Sequence, residues 1–143
     1  MSTKAFQILL VEDNPGDIRL TKEAFKTSKI QHKLDTVENG TEALNYLHRV
    51  GPYANATRPD LVLLDLNLPG KDGREVLVDI KADKTLRRIP VIILTSSRAQ
   101  EDISHSYDLQ ANCYITKPAS LQAFMDAIRQ IETFWFTVAR LPS

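Results

Sequence analysis

An α/β fold with a doubly wound, five-stranded parallel sheet in the order 2-1-3-4-5 is what this sequence predicts, and three features carry the prediction. Short apolar runs alternate with amphipathic stretches along the whole chain. The runs are rich in Val, Ile and Leu and lack polar alternation, as strands covered on both faces require. Carboxylate, hydroxyl and ammonium side chains stand at the carboxyl ends of those runs. A β-α alternation repeated five times implies right-handed crossovers with helices on both faces.

The first strand is Ile8-Leu9-Leu10-Val11. Asn14-Pro15 follows, placing proline at or near a first helical position, where its missing N–H costs nothing. Ile18, Thr21 and Phe25, with Leu20 and Ala24, then form a helical stripe. His32 to Val37 is a weaker second strand, and Ala43, Leu44 and Leu47 mark the second helix. Arg49 to Asp60 holds Gly51, Pro52, Asn55 and Pro59 and is expected to be a longish surface loop, not a domain boundary. Leu61-Val62-Leu63-Leu64 is the third strand, Val76, Leu77 and Ile80 the stripe of the third helix, and Val91-Ile92-Ile93-Leu94 the fourth strand. Ile103 and Tyr107 mark a short fourth helix, and Asn112 to Thr116 a weaker fifth strand. Ser120 can cap a last helix whose stripe is Leu121, Phe124, Met125, Ile128 and Ile131.

The 143 residues make one domain, since two halves of ~70 would each lack an adequate core. Lys and Arg total 18 and Asp and Glu total 18, a formal net charge of zero. That balance leaves no basic footprint for nucleic acid and no polybasic membrane surface. The single cysteine, Cys113, excludes an internal disulfide and a multi-cysteine zinc site. It has no adjoining base to activate it and is expected to be a small buried residue. His32, His48 and His105 lack ligand spacing. No apolar stretch approaches the ~20 residues of a membrane span, and Met1-Ser2-Thr3-Lys4 opens no signal-peptide pattern. The expected compartment is the cytoplasm.

In this fold the ligand crevice lies beyond the carboxyl ends of the strands, at the switch between strands 1 and 3. Strand 1 ends in Glu12-Asp13, strand 3 in Asp65, strand 4 in Thr95-Ser96 and strand 5 in Lys117-Pro118. Each alone is ordinary: an Asp after a strand is usually a turn former, and a Thr fits a strand by its β-branch. Together they point to chemistry. Three close carboxylates repel unless a cation intervenes. Mg²⁺ takes oxygen ligands and typically uses one or two carboxylates plus a phosphate. Asp13 and Asp65 are the expected direct ligands, with Glu12 acting directly or through water. Lys117 adds a fixed positive charge and Thr95 a hydrogen-bond donor. Such a set suits a phosphoryl group on Asp65, since phosphoryl transfer depends on positioning and charge neutralisation and a carboxylate can act as its nucleophile.

The stretches Ile8 to Asn14, Asp65-Leu66-Asn67-Leu68-Pro69-Gly70-Lys71-Asp72-Gly73, Pro90 to Thr95 and Tyr114-Ile115-Thr116-Lys117-Pro118 resemble those of response-regulator receiver domains of two-component signalling, which are flavodoxin-like. The resemblance covers roughly residues 5 to 135. It implies that Asp65 is the phospho-acceptor, that Glu12 and Asp13 hold Mg²⁺ with the backbone carbonyl of Asn67, and that Thr95 and Lys117 bind the phosphoryl group. It further implies that Thr95 and Tyr114 move on activation, coupling the site to the face of helix 4, strand 5 and helix 5, and that the Lys117–Pro118 peptide is cis. The sequence departs from the family at Gln110-Ala111, where a Gly-Ala pair is usual, at Cys113, often Gly, and at Ser96 and Ser97. Asn67 and Ser97 stand where the family tunes hydrolysis of its phosphate. The loop Gly51-Pro52-Tyr53 to Arg58-Pro59, the run Lys71 to Leu77 and the tail Ile131 to Pro142 are similar to the small regulators paired with cyanobacterial phytochrome histidine kinases.

A histidine kinase, of phytochrome type, is therefore the expected phosphoryl donor. A phosphate-shuttle receiver in a multistep relay is the alternative within the same class. A phosphohydrolase of the haloacid-dehalogenase type also uses an aspartyl nucleophile, but wants a second Asp two residues on as general acid; Asn67 stands there and cannot protonate a leaving group. A transcription factor is disfavoured, since no helix-turn-helix follows and the charge is neutral. The expected organisation is a single receiver over 1–143 with a C-terminal aromatic helix extension at about 132–143 and no output domain. In that extension Trp135 continues the last helix's stripe, while Phe134 and Phe136 cannot both join it at ~100° per residue. The expectation is a homodimer burying Phe134, Trp135 and Phe136 beside the helix 4–strand 5–helix 5 face.

Overall fold

The computed structural model describes residues 6–26, 32–66, 68–95 and 113–116, together with Asp126, Arg129, Gln130 and Thr133; Thr95 and residues 113–116 are described in backbone only. The elements alternate as expected: β1 (Phe6–Val11), α1 (Pro15–Lys26), β2 (His32–Val37), α2 (Gly40–His48), β3 (Leu61–Asp65), α3 (Gly73–Ala82), β4 (Val91–Thr95) and β5 (Cys113–Thr116). All four strand pairings are parallel and the order is β2-β1-β3-β4-β5. The change of direction falls between β1 and β3, which fixes the crevice at their carboxyl ends.

The apolar runs supply two cores, one on each face, because successive strand side chains point opposite ways. Leu9, Val11, Val62, Leu64 and Ile93 pack with Ala43, Tyr46 and Leu47 of α2 and Val76, Leu77 and Ile80 of α3. Ile8, Leu10, Leu61, Leu63, Ile92 and Leu94 pack with Ala24 and Phe25 of α1. Every residue of β3 is buried, the acidic Asp65 included. Ile18 is only partly buried against its core, at the rim of the α1 stripe.

Helix starts follow local chemistry. Asn14 caps α1, its Oδ1 accepting the Asp17 N–H at 3.0 Å, with Pro15 in the first helical position. Asn39 caps α2 by accepting the Glu42 N–H at 2.8 Å, while the Glu42 carboxylate accepts from the Asn39 amide at 3.2 Å. Asp72 caps α3 through the Arg74 N–H at 2.7 Å. α2 ends at Arg49, a non-glycine residue at φ 57°, whose N–H turns back to the Tyr46 carbonyl.

Several expectations are corrected. β1 starts two residues earlier than Ile8, at Phe6, because Phe6 pairs with His32 across the ladder. β3 and β4 end at Asp65 and Thr95, so both are strand residues, as the expected strand ends had them. The Arg49 to Asp60 segment is not plain loop. A 3₁₀ turn at Gly51–Tyr53 seats Tyr53 on Tyr46, ring centroids 5.4 Å apart, and its hydroxyl donates to Glu42 at 3.3 Å. Arg58 donates to the Thr85 carbonyl at 2.9 Å, and Asp60 accepts the Gln7 N–H at 2.9 Å. Tyr46 is buried too, although the α2 stripe omitted it. Its hydroxyl donates to Asp35 of β2 at 2.6 Å.

Burial, then the hydrogen bond to Asp35 and its charge, push the Tyr46 phenol well above its ordinary value of 10.0. The protonated phenol is thus favoured in the folded chain. Above pH 10 the unfolded chain loses this proton first, so the stabilisation is complete below pH 10 and fades as pH rises beyond it. We expect Tyr46→Phe to cost about 1–2 kcal/mol at neutral pH, through the bond lost to Asp35. It should also flatten the alkaline fall in stability, as measured by urea unfolding from pH 8 to 11.

The short helix marked by Ile103 and Tyr107 lies outside the described residues. So does the stripe of the last helix. Asp126, Arg129, Gln130 and Thr133 are helical and exposed at i, i+3, i+4 and i+7, one face of a helix. No helix among the described residues is long and apolar enough to cross a membrane.

Candidate metal and phosphoryl site

β1 and β3 are neighbours in register, Val11 beside Leu64. The residues that follow each pair, Glu12 and Asp65, therefore emerge side by side at the sheet's carboxyl edge. The Glu12 N–H extends the ladder by bonding to the Val37 carbonyl at 3.0 Å, which fixes the main chain just before Asp13. Its carboxylate turns inward and is 1% exposed, and Oε2 accepts weakly from the Asn14 N–H at 3.4 Å. Asp65 is 5% exposed. Asp13 is half-buried.

One oxygen from each of Glu12, Asp13 and Asp65 lies within 4.8 Å of the others. At an effective dielectric of ~20, a carboxylate pair at such a distance repels by about 3–4 kcal/mol. Two of the three charges are held away from water, so solvent relieves little of this. A hard divalent cation matches the donor set: oxygen atoms only, converging, with Asp13 open enough to leave room for water ligands. The residues fit such an ion.

The connection from Asp65 to α3 is built tightly. Leu66 is fully buried and Leu68 nearly so. Gly70 takes φ 66°, a left-handed turn that costs glycine nothing. The Gly73 N–H then closes back onto the Leu66 carbonyl at 3.1 Å. Lys71 points away along α3, 2.9 Å from Asp79 and 3.9 Å from Glu75, and the hydrogen bond to Asp79 raises its pKa.

Of the remaining expected site residues, Thr95 ends β4 with its backbone paired to Thr116, next to the Asp65–Leu94 pair. Tyr114 pairs with Ile93 on β5. Cys113 pairs with Ile92. Asn67, Lys117, the Lys117–Pro118 peptide, Ser96, Ser97, Gln110, Ala111 and the aromatics Phe134, Trp135 and Phe136 lie outside the described residues. His48 ends α2, and His32 lies against the Phe25 ring, centroids 5.4 Å apart; neither is in the acidic cluster.

Two features of this region escaped the sequence reading. Asn39-Gly40-Thr41-Glu42 is a legible capping pattern, with an acid three residues after the cap. Gly73 carried no readable signal beyond standing after Asp72, because what constrains it is a close approach that exists only in the folded chain.

The doubly wound sheet with an acidic cluster at its β1/β3 switch point is that of a signalling receiver: the chain belongs to the response regulator receiver domain family, whose profile matches residues 8–129. Among its relatives is the response regulator Rcp1 of Synechocystis sp., 48% identical over 136 residues that cover 95% of this chain and 92% of that protein. A crystal structure of the phosphorylated cyanobacterial phytochrome response regulator RcpA superimposes with a TM-score of 0.92 at 56% identity, over 98% of this chain and all of that one. The Mn²⁺-bound form of Rcp1 superimposes with a TM-score of 0.89 at 47% identity, over 96% and 99% of the two chains. The protein is thus a response regulator, and the family and its fold are as the sequence motifs implied.

Proposed function

We propose that this receiver takes a phosphoryl group from a histidine kinase onto Asp65 in a Mg²⁺-dependent reaction. The observation that carries the reading is the convergence of Glu12, Asp13 and Asp65 within 4.8 Å at the carboxyl ends of β1 and β3. In the transfer, an Asp65 carboxylate oxygen forms a bond to phosphorus as the phosphorus–nitrogen bond of a phosphohistidine breaks. The released imidazole nitrogen keeps the electron pair and takes a proton. Glu12, Asp13 and Asp65, with the Asn67 carbonyl, would hold Mg²⁺, which when bound neutralises charge on the transferring phosphoryl oxygens. Thr95 and Lys117 are assigned to the same oxygens, one as a hydroxyl donor and one as a fixed positive charge. Thr95 and Tyr114 are assigned the switch that reports phosphorylation.

The donor we propose is a phytochrome-type histidine kinase, supported by the likeness to Rcp1 and to the phytochrome response regulator RcpA. We assign residues 1–143 to a single receiver with an aromatic segment at 132–143. Its formal net charge of zero favours output by protein contact over binding to nucleic acid or membrane. A kinase-fed receiver works where ATP is, and the compartment we propose is the cytoplasm. The test is phosphotransfer from a purified, autophosphorylated phytochrome kinase. Label should pass to the receiver within minutes in Mg²⁺ and not in EDTA. Label that never leaves the kinase, while a small acyl phosphate still modifies Asp65, would remove the phytochrome partner and keep the receiver chemistry.

We further propose a homodimer anchored on the aromatic run Phe134, Trp135 and Phe136, since Phe134 and Phe136 cannot both join the stripe that Trp135 continues and aromatic residues are the type that anchors interfaces. Light scattering should give a dimer mass for wild type at micromolar concentration and a monomer mass for the Phe134→Ala/Phe136→Ala double variant. A wild type that stays monomeric at high micromolar concentration, phosphorylated or not, rules the dimer out.

A further inference from the structure

We infer that Gly73 is a positioning residue for the Asp65 carboxylate, holding its main chain against the start of α3. The inference rests on Asp65 being the phosphoryl acceptor. A Cβ built on Gly73 would strike the Asp65 carbonyl oxygen, and would approach the Leu66 Cα to 2.7 Å and the Asp65 carbonyl carbon to 3.0 Å. All three are main-chain atoms, which cannot swing aside as the tip of a side chain can. The Gly73 N–H bond to the Leu66 carbonyl at 3.1 Å closes the same contact from the other side. The first residue of α3 therefore lies directly on the peptide that carries the acidic cluster's third member.

The constraint is space, not backbone conformation. Gly73 is not among the residues at positive φ, which are Arg49, Gly51 and Gly70. It opens a helix, where alanine is ordinarily the better residue. Helix propensity alone thus expects Gly73→Ala to stabilise, whereas the contact expects it to push β3's last residue off its place. Asp65 is buried in a fully buried strand, so its side chain has no slack with which to recover the displaced position. A misplacement on the order of 1 Å at a reacting group costs about a hundredfold in rate.

Gly40 supplies the internal control. A Cβ there would strike the Lys71 carbonyl oxygen and come within 2.7 Å of Val76 Cγ2 and 2.9 Å of Lys71 Cβ. The crowding there falls on one main-chain atom and two side-chain atoms of Lys71 and Val76, and not on the Asp65–Leu66 peptide. Gly40→Ala and Gly73→Ala should both lower the melting temperature. Only Gly73→Ala should weaken Mg²⁺ binding by calorimetry, by tenfold or more, and slow labelling by a small acyl phosphate at saturating Mg²⁺ by about a hundredfold.

If Gly73→Ala does not fold, Asp72→Ala replaces it. Removing the cap on the Arg74 N–H at 2.7 Å loosens the first turn of α3 without adding volume. It should weaken Mg²⁺ severalfold. Wild-type Mg²⁺ affinity in a folded Gly73→Ala, or in Asp72→Ala when it stands in, overturns the inference. So does Gly40→Ala weakening Mg²⁺ as much as Gly73→Ala, since the effect would then be general loosening. A wild type that binds Mg²⁺ but takes no phosphoryl group refutes the proposed function instead, and the Mg²⁺ affinities still decide the role of Gly73.

Discussion

Asp65→Asn is expected to take no phosphoryl group from either a kinase or a small acyl phosphate, while folding normally. The amide has the shape of the carboxylate but no anionic oxygen to attack phosphorus. Its burial argues for an intact fold: Asp65 is 5% exposed at the end of a strand packed on both faces, and an isosteric replacement leaves no cavity. It also removes one of three mutually repelling charges, so the variant should melt above wild type when metal is absent. Intact-mass spectrometry after acyl-phosphate treatment, with and without EDTA, reads the first effect, and a thermal melt in EDTA the second. Labelling of Asp65→Asn at the wild-type level would place the acceptor elsewhere.

Asp13→Asn should act in opposite directions with and without metal. Asp13 is the half-buried member of the cluster, so part of its repulsion is screened and the ~3–4 kcal/mol pair energy must be discounted. A gain of about 1–2 kcal/mol in EDTA remains, worth several degrees in a domain of this size. In Mg²⁺ the order reverses. Wild type gains about 2.7 kcal/mol at a metal concentration one hundred times Kd. The variant has lost a charged ligand and should bind on the order of a hundredfold more weakly, so at the same concentration it gains only a few tenths of a kcal/mol. Thermal melts of both proteins across a Mg²⁺ titration should therefore cross. Parallel curves would mean that Asp13 contributes charge to the cluster but does not ligate.

The local parts of this molecule were legible in its sequence because their causes are local. Ile8 to Val11, Leu61 to Leu64 and Val91 to Leu94 read as strands buried on both faces, since nothing polar interrupts them. Asn14-Pro15 marked the start of α1 through capping and a fixed φ. Topology follows from alternation and handedness, and it brings Glu12, Asp13 and Asp65 to one edge of the sheet.

What only the tertiary structure decided depends on distances between segments far apart in the chain. Alternation puts carboxylates on the same rim, but the Val11–Leu64 register is what brings their oxygens within 4.8 Å. Tyr46 reads as a polar-tipped residue beside an apolar stripe, and becomes buried because Asp35 on β2 meets its hydroxyl at 2.6 Å. The 49–60 segment reads as turn formers, yet Tyr53 reaches back to Tyr46 and Glu42. Gly73 looks like a helix start that alanine could fill, but a Cβ there would strike the Asp65 main chain. A residue's own propensity is written in its neighbours along the chain. Its steric and electrostatic surroundings are set by the sheet register and helix packing that bring distant segments together.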